Sequence, residues 1–440
     1  MTFYIYRLGC PKNEVDGDYI AARLLKAGHI QVDVAEGAEA VIINTCGFIL
    51  PAKEESIEAI LQMARLKTEG GARRLFATGC LSQRYGHDLL ADIPELDGVF
   101  GLGELDALAD AMSGLGSSRS HASVAADELS YLDWKQRFIS DAYPYAYLKI
   151  ADGCNRRCTF CAIPSIRGRY RSRPMDSILN EARFLIDNGK RELILVSQEA
   201  TVWGNNLSGR PKLVNLLSEL ESLSGLEWIR VMYLHPSGLN VELIEHMTSG
   251  NKTLAYFDLP LQHINAGILA AMGRQNDSEA IADLISRIRH ASPDSALRTT
   301  FIVGFPGETE EHFQELCQFV EATAFDRLGA FCYSAEEGTP GADLPDQVPE
   351  EVKTERLDRL MLLQQEIAFA KNNSLIDSTQ EVIIDAVSDD GSAVGRTQRD
   401  CPDIDQEVTV VGDGLTVGSI CQVRITEADG YDLRAVRSEE

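Results

Sequence analysis

The 440 residues carry 41 basic and 67 acidic side chains, a formal net charge of −26, with 44% apolar residues and ten cysteines. The length predicts about three domains and the apolar fraction suffices for buried cores, while the acidity counts against wholesale charge-driven binding to nucleic acid. No run of about 18 apolar residues occurs, which excludes a membrane-spanning helix, and no basic-then-apolar leader opens the chain, so the cysteines are expected to be reduced and free for metals or chemistry, in a cytoplasmic setting.

The first ~125 residues repeat one pattern. The apolar runs FYIYRLGC, VIINTC and LFATGC end at Cys10, Cys46 and Cys80, and each leads into a helix-like stretch. Strand–helix alternation of this kind predicts a parallel α/β sheet, whose strand ends line one ligand-binding edge. Any one of these cysteines alone reads as a small core residue. Three at equivalent strand ends read as ligands. Residues 113–140, with SGLGSSRSHAS and an acidic stretch, read as a connecting excursion, and 126–142 as the linker between domains.

From about Tyr143 the strand-like runs AYLKI, ELILVS, WIRVMYL, LAYFDLP, LRTTFIVGF and LGAFCYS alternate with helix-like intervals. Six such repeats predict a partial or full α/β barrel over 143–374. Residues 347–373 read as one long helix. The remainder, 375–440, has the short β-branched runs EVIIDAV, EVTVV, SICQVRITEA and YDLRAV split by turn residues, which predicts a small all-β barrel. Residues 376–440 hold five arginines, no lysine and 15 acidic residues, a net charge of −10.

Directly after AYLKI comes ADGCNRRCTFCAIP, with Cys154, Cys158 and Cys161 spaced C-x3-C-x2-C. Three thiolates on one βα loop can hold three irons of a cubane [4Fe–4S] cluster and leave the fourth iron open. A structural zinc site would use four ligands. Cys317, Cys332, Cys401 and Cys421 have no partner at ligand spacing and read as structural.

The three-cysteine spacing, with Phe160 before the third cysteine, resembles the radical S-adenosylmethionine (SAM) signature. LGCPKNEVD, NTCGF, ATGC, CTFCAIPSIRGRYRSRP, LPLQH, FIVGFPGE and, in the tail, GRTQRDCPDID are together similar to the methylthiotransferases, in that family's order. LGCPKN, CAIP and YSAEEGTP resemble the branch that modifies an aspartate of a ribosomal protein, whereas the tRNA-modifying branch tends to carry GCQMN near the first cysteine.

The resemblance implies an N-terminal methylthiotransferase domain (1–125), a radical-SAM barrel and a TRAM-like tail. It implies two [4Fe–4S] clusters, one on Cys154, Cys158 and Cys161 and an auxiliary one on Cys10, Cys46 and Cys80. It places Phe160, Gln198, Glu199, Asp258, Gln262, Gly304, Pro306 and Glu308 around SAM. His235 and His263 end strands and read equally as structural or site residues. The activity implied is addition of a methylthio group to the β-carbon of an aspartate in small-subunit ribosomal protein S12, with an electron donor as a further partner.

Six arginines between Arg156 and Arg173 invert the local charge. They read as a carboxylate-recognising strip, with Arg167, Arg169 and Arg171 toward substrate. A solvated face or an RNA-phosphate contact would also account for them. The acidic tail favours a basic protein partner over RNA. The competing readings are a tRNA methylthiotransferase and a non-catalytic iron–sulfur protein.

Overall fold

The structure is a computed structural model and describes residues 1–114, 119–126, 137–139, 142–250, 252–274 and 277–438. The N-terminal third contains β1 (Thr2–Arg7), α1 (Pro11–Lys26), β2 (Ile30–Gln31), β3 (Ala40–Thr45), α2 (Leu50–Thr68), β4 (Arg74–Gly79), α3 (Cys80–Asp92), β5 (Gly98–Phe100), α4 (Leu105–Met112) and β6 (Ser120–Ala122). The strands pair in parallel in the order β2-β1-β3-β4-β5-β6. Every residue of β3 is buried, as a central parallel strand covered on both faces requires. Ile60 and Met63 of α2 and Leu89 of α3 cover one face, and Ile20 and Leu24 of α1 with Leu108 and Met112 of α4 cover the other.

The middle of the chain forms β7 (Tyr145–Lys149), β8 (Ala151–Asp152), α5 (Ile163–Arg167), β9 (Arg171–Ser172), α6 (Met175–Asp187), β10 (Glu192–Val196), α7 (Leu213–Glu221), β11 (Trp228–Val231), α8 (Val241–Ser249), β12 (Tyr256–Gln262), α9 (Ala266–Ala271), α10 (Ser278–Ala291), β13 (Ala296–Val303), α11 (Glu310–Thr323) and β14 (Arg327–Cys332). Two parallel three-stranded sheets, β7-β10-β11 and β12-β13-β14, meet where Leu234 N donates to Asp258 O at 2.9 Å and Ile229 bridges Thr253. This is the expected partial (βα)6 barrel. Its core interleaves strand residues such as Leu148, Leu195 and Phe301 with Leu185, Leu216 and Leu316 of the surrounding helices. The helices start where the sequence supplies caps: Thr309 Oγ1 accepts from His312 N at the head of α11, and Asp277 accepts from Ala280 N at the head of α10.

The helix α12 (Glu350–Ser374) leads into a closed barrel of β15 (Thr379–Val387), β16 (Ala393–Thr397), β17 (Val408–Val411), β18 (Ile420–Asp429) and β19 (Asp432–Arg437), ordered β15-β16-β17-β19-β18. Within this barrel the sequence reading misses one strand, β16, as it misses the short strands β2, β5, β6, β8 and β9 elsewhere. In β16, Arg396 is buried against Glu192 and Asp385, and this interior ion pair breaks the apolar alternation that marks a strand.

Residues 127–136 and 140–141 of the expected linker lie outside the described residues. Arg137, within it, is no solvated linker side chain. It is buried and donates to Asp18 of α1, to the Tyr147 carbonyl and to Glu181 of α6. A further core holds Val15 and Tyr19, barrel residues such as Tyr147 and Trp228, and Ile383 and Cys401 of the tail, so all three parts share buried surface.

Candidate active site

Cys10 caps α1, Cys46 follows β3, and Cys80 opens α3 directly after β4. They therefore stand at the carboxyl ends of three adjacent strands. The approach is close: Gly9 has φ of +90°, and a Cβ there would stand 2.8 Å from Cys46 Cβ. Asn13 ties the edge together. Its amide donates to the Leu8 and Thr45 carbonyls at 3.1 and 2.9 Å, and its Oδ1 lies 3.6 Å from Cys80 Sγ. Burial pushes the Cys46 thiol up to about 12, helped by Cys80 and Cys10. Burial also raises Cys80, against Arg167. At Cys10 burial acts the same way but is outweighed by Lys12, Arg167 and the N–H groups of Asn13 and Lys12, which hold that thiol below its ordinary value.

The second trio lies on the loop between β8 and α5. Cys154 N donates to Gly168 O at 3.1 Å, and Arg156 N donates to Cys154 Sγ at 3.4 Å. Thr159 anchors the loop on α9, its Oγ1 donating to Ala271 O at 2.7 Å and its N to Met272 O at 3.0 Å. Burial pushes Cys154 up to about 11 and Cys161 up to about 12.

All six cysteines line one cavity of about 410 Å³, between the sheet edge and the mouth of the barrel. Among the described residues no three His, Cys, Asp or Glu side chains converge to hold a single metal ion. A cubane cluster does not need that, because each thiolate binds a different iron. Three thiols per side, with peptide N–H groups directed at the barrel-side sulfurs, fit such clusters.

Phe160, Gln198, Glu199, Asp258, Gln262 and His235 also line this cavity. Gln198 presents both amide atoms buried and without a partner, as a ligand-binding amide would. The Glu199 carboxylate is gripped by Arg156 at 2.7 and 2.5 Å and accepts from Thr201 Oγ1. Asp258 accepts from Arg298 at 3.0 Å and from Tyr233 N at 2.9 Å. Gln262 adopts φ of +73° where the β12–β13 register shifts. His235 Nδ1 accepts from Ser237 N, and burial, with Arg274 and Arg156, pulls its pKa to about 2, so the ring is neutral.

Gly304, Pro306, Glu308 and His263 are not on the cavity wall. Glu308 is committed to the fold. It accepts from Gly304 N at 2.9 Å and from Arg356 at 2.8 Å, and its Oε2 lies 3.4 Å from His263 Nε2. It braces the turn after β13.

The arginine strip is not one face: Arg167 and Arg173 are buried, Arg157 and Arg169 exposed, and Arg156 and Arg171 in between. Arg167 lines the cavity but donates to Asn13 and Asp16 and pairs with Asp152, and Arg173 is buried against Glu181. Arg171 donates to the carbonyls of Arg169 and Arg167. Arg169 is exposed and, like Arg171, lies off this cavity. Lys12, Tyr233, Arg274, Arg298 and Cys332 also line the wall and escaped sequence reasoning. Lys12 alone had a cue, its place two residues after Cys10. Cys332, read as structural, ends β14 facing the site.

Residues 148–320 match the Radical SAM superfamily, residues 2–101 match Uncharacterized protein family UPF0004, and residues 376–437 match a TRAM domain. The chain is 44% identical over 430 residues to ribosomal protein uS12 methylthiotransferase RimO of Geobacter sulfurreducens, covering 97% of this chain and 96% of that protein. It is 45% identical over 443 residues to the RimO of Syntrophus aciditrophicus, covering 99% and 98%.

The chain belongs to the RimO methylthiotransferase family.

As a RimO-family member it is a radical-SAM transferase that uses SAM and iron–sulfur chemistry. Among solved structures it resembles the radical SAM methyltransferase TsrM from Kitasatospora setae with tryptophan substrate and a SAM analogue bound, at a TM-score of 0.56 and 13% identity, covering 83% of this chain and 89% of that one. That likeness is one of fold. No helix among the described residues is long and apolar enough to cross a membrane.

Proposed function

We propose that this protein adds a methylthio group to the β-carbon of an aspartate in small-subunit ribosomal protein uS12, in the cytoplasm, using two [4Fe–4S] clusters. Cys154, Cys158 and Cys161 would hold the cluster that engages SAM, and Cys10, Cys46 and Cys80 the auxiliary one. When bound, these groups supply a radical able to take hydrogen from an unactivated carbon and a sulfur source to replace it. The observation that carries this reading is that both trios open on one cavity, so one substrate carbon can approach both.

The chain's own residues do the positioning. Gln198 offers an unpartnered amide to SAM, and Arg156 locks the Glu199 carboxylate beside it. Phe160 packs with Phe305 and Tyr333 behind the cluster loop. Phe48, Ile163 and Ile302 add apolar surface to a wall that also carries charged side chains, and that surface limits water around a reactive intermediate.

Surface charge favours a basic protein substrate over tRNA. Of the five arginines in the tail, Arg396 and Arg399 turn inward to Glu192, Asp385 and Asp326. Fewer cations therefore remain to neutralise phosphates. Anaerobic reconstitution followed by incubation with SAM, reductant and either uS12 or tRNA tests the reading by mass spectrometry. A methylthio mass increment on uS12 alone is expected, and an increment on tRNA alone would overturn it.

A further inference from the structure

Methylthiolation at the β-carbon leaves the aspartate's own carboxylate one bond from the reacting carbon. A carboxylate brought into this cavity out of water needs a cation with donors to spare, because burying it unpaired is costly. Five cations line this cavity: Lys12, Arg156, Arg167, Arg274 and Arg298. Three are already spent. Arg156 holds Glu199, Arg167 holds Asp16 and Asp152, and Arg298 holds Asp258 and Asp405.

Among the described residues Lys12 and Arg274 make no ion pair. Arg274 belongs to the barrel side, with its guanidinium 5.7 Å from the Phe160 ring of the cluster loop, where SAM brings a carboxylate of its own. Lys12 enters from the opposite part, two residues beyond Cys10. It is only 7% exposed, and its Nζ reaches past the sheet edge to the Ser197 carbonyl at 3.4 Å and lies 3.3 Å from the centre of the Tyr233 ring. Burial disfavours its charge, and Cys10 is the first group that favours it, ahead of Asp152 and Asp258, which are already held by Lys149 and Arg167 and by Arg298. An ammonium has three donors, and a long contact to a carbonyl with an aromatic face leaves it able to grip an anion.

We propose that Lys12 binds the side-chain carboxylate of the substrate aspartate and makes the site selective for a carboxylate over a carboxamide. The inference rests on the uS12 reading above. Its test uses full-length, reconstituted protein and two labelled peptides of the uS12 loop, one with the aspartate and one with asparagine in its place. Binding is followed by fluorescence anisotropy and modification by mass spectrometry.

The wild-type protein is expected to bind the aspartate peptide about tenfold or more tightly than the asparagine peptide, the scale of a hydrogen bond to a charged group. Lys12→Met should bring that ratio near one, and Lys12→Arg should keep part of it. A wild-type ratio near one, or an undiminished ratio in Lys12→Met, would overturn the role of Lys12. If Lys12→Met fails to fold, the two peptides on the wild-type protein and on Lys12→Arg still decide. Wild-type protein that modifies the aspartate while Lys12→Met keeps its preference sinks Lys12 alone. Wild-type protein that neither binds nor modifies the peptide sinks the uS12 reading with it.

Discussion

Arg167, the last residue of α5 after the cluster loop of the barrel, places Nη2 3.3 Å from the sulfur of Cys80 at the edge of the N-terminal sheet. The same guanidinium donates to Asn13 and Asp16 of that sheet's first helix and pairs with Asp152 of its own barrel. One buried side chain thus touches both parts next to the cysteine trios, alongside the Lys149–Asp16 pair.

Arg167→Met should therefore weaken more than one contact. It removes a buried cation from between Asp16 and Asp152, two carboxylates that Lys149 also pairs with. Breaking a buried pair by removing one partner costs about 3–5 kcal/mol. Denaturant unfolding should show a loss on that scale, with less iron retained after reconstitution. A loss under about 1 kcal/mol, the value of an exposed pair, would refute the interlock.

Gly304→Ala should damage the turn after β13. Gly304 has φ of +71°, and an added Cβ would stand 2.3 Å from Lys353 Cγ. The left-handed conformation alone costs a non-glycine residue roughly 1–2 kcal/mol. Thermal melting should fall and SAM affinity, by calorimetry, should drop several-fold. Unchanged SAM affinity would show that the turn does not shape the cofactor site.

Acid should loosen the joint between barrel, long helix and tail. Asp326 accepts from Leu297 N and pairs with Arg289 of α10, Lys371 of α12 and Arg399 of the tail. Burial raises its pKa, but Arg399 and Lys371 outweigh this and hold the carboxyl well below its usual range. A depressed folded pKa stabilises above the unfolded value of about 4 and is lost as pH falls through the folded value. Asp326→Asn should cost stability at neutral pH and flatten the acid limb of the stability–pH curve. An Asp326→Asn curve parallel to wild type would contradict this.

The sequence exposed elements whose signal is local. Cys10, Cys46 and Cys80 each end a recognisable apolar run, the second trio follows one, and the six barrel strands are rich in apolar residues. It hid what depends on distant partners. The arginines from Arg156 to Arg173 read as one basic strip, yet Arg167 and Arg173 are buried against Asp16 and Glu181, and a one-dimensional charge pattern cannot show this. The strand β16 was masked by Arg396 for the same reason. Glu308 sits in a segment similar to a SAM-lining motif, but its carboxylate is consumed by Gly304 and Arg356. Lys12 was overshadowed by Cys10, and its importance emerges only when the neighbouring cations are found to be paired.

The most direct test of the two-cluster site is the iron content and product profile of the two triple variants. Wild-type protein should bind about eight irons per chain after anaerobic reconstitution. Replacing Cys154, Cys158 and Cys161 by alanine should halve the iron and abolish SAM cleavage. Replacing Cys10, Cys46 and Cys80 should also halve it, but leave SAM cleavage in place and stop methylthiolation of uS12. Full iron retention in that second variant would contradict the auxiliary cluster and with it the shared cavity as the place of reaction.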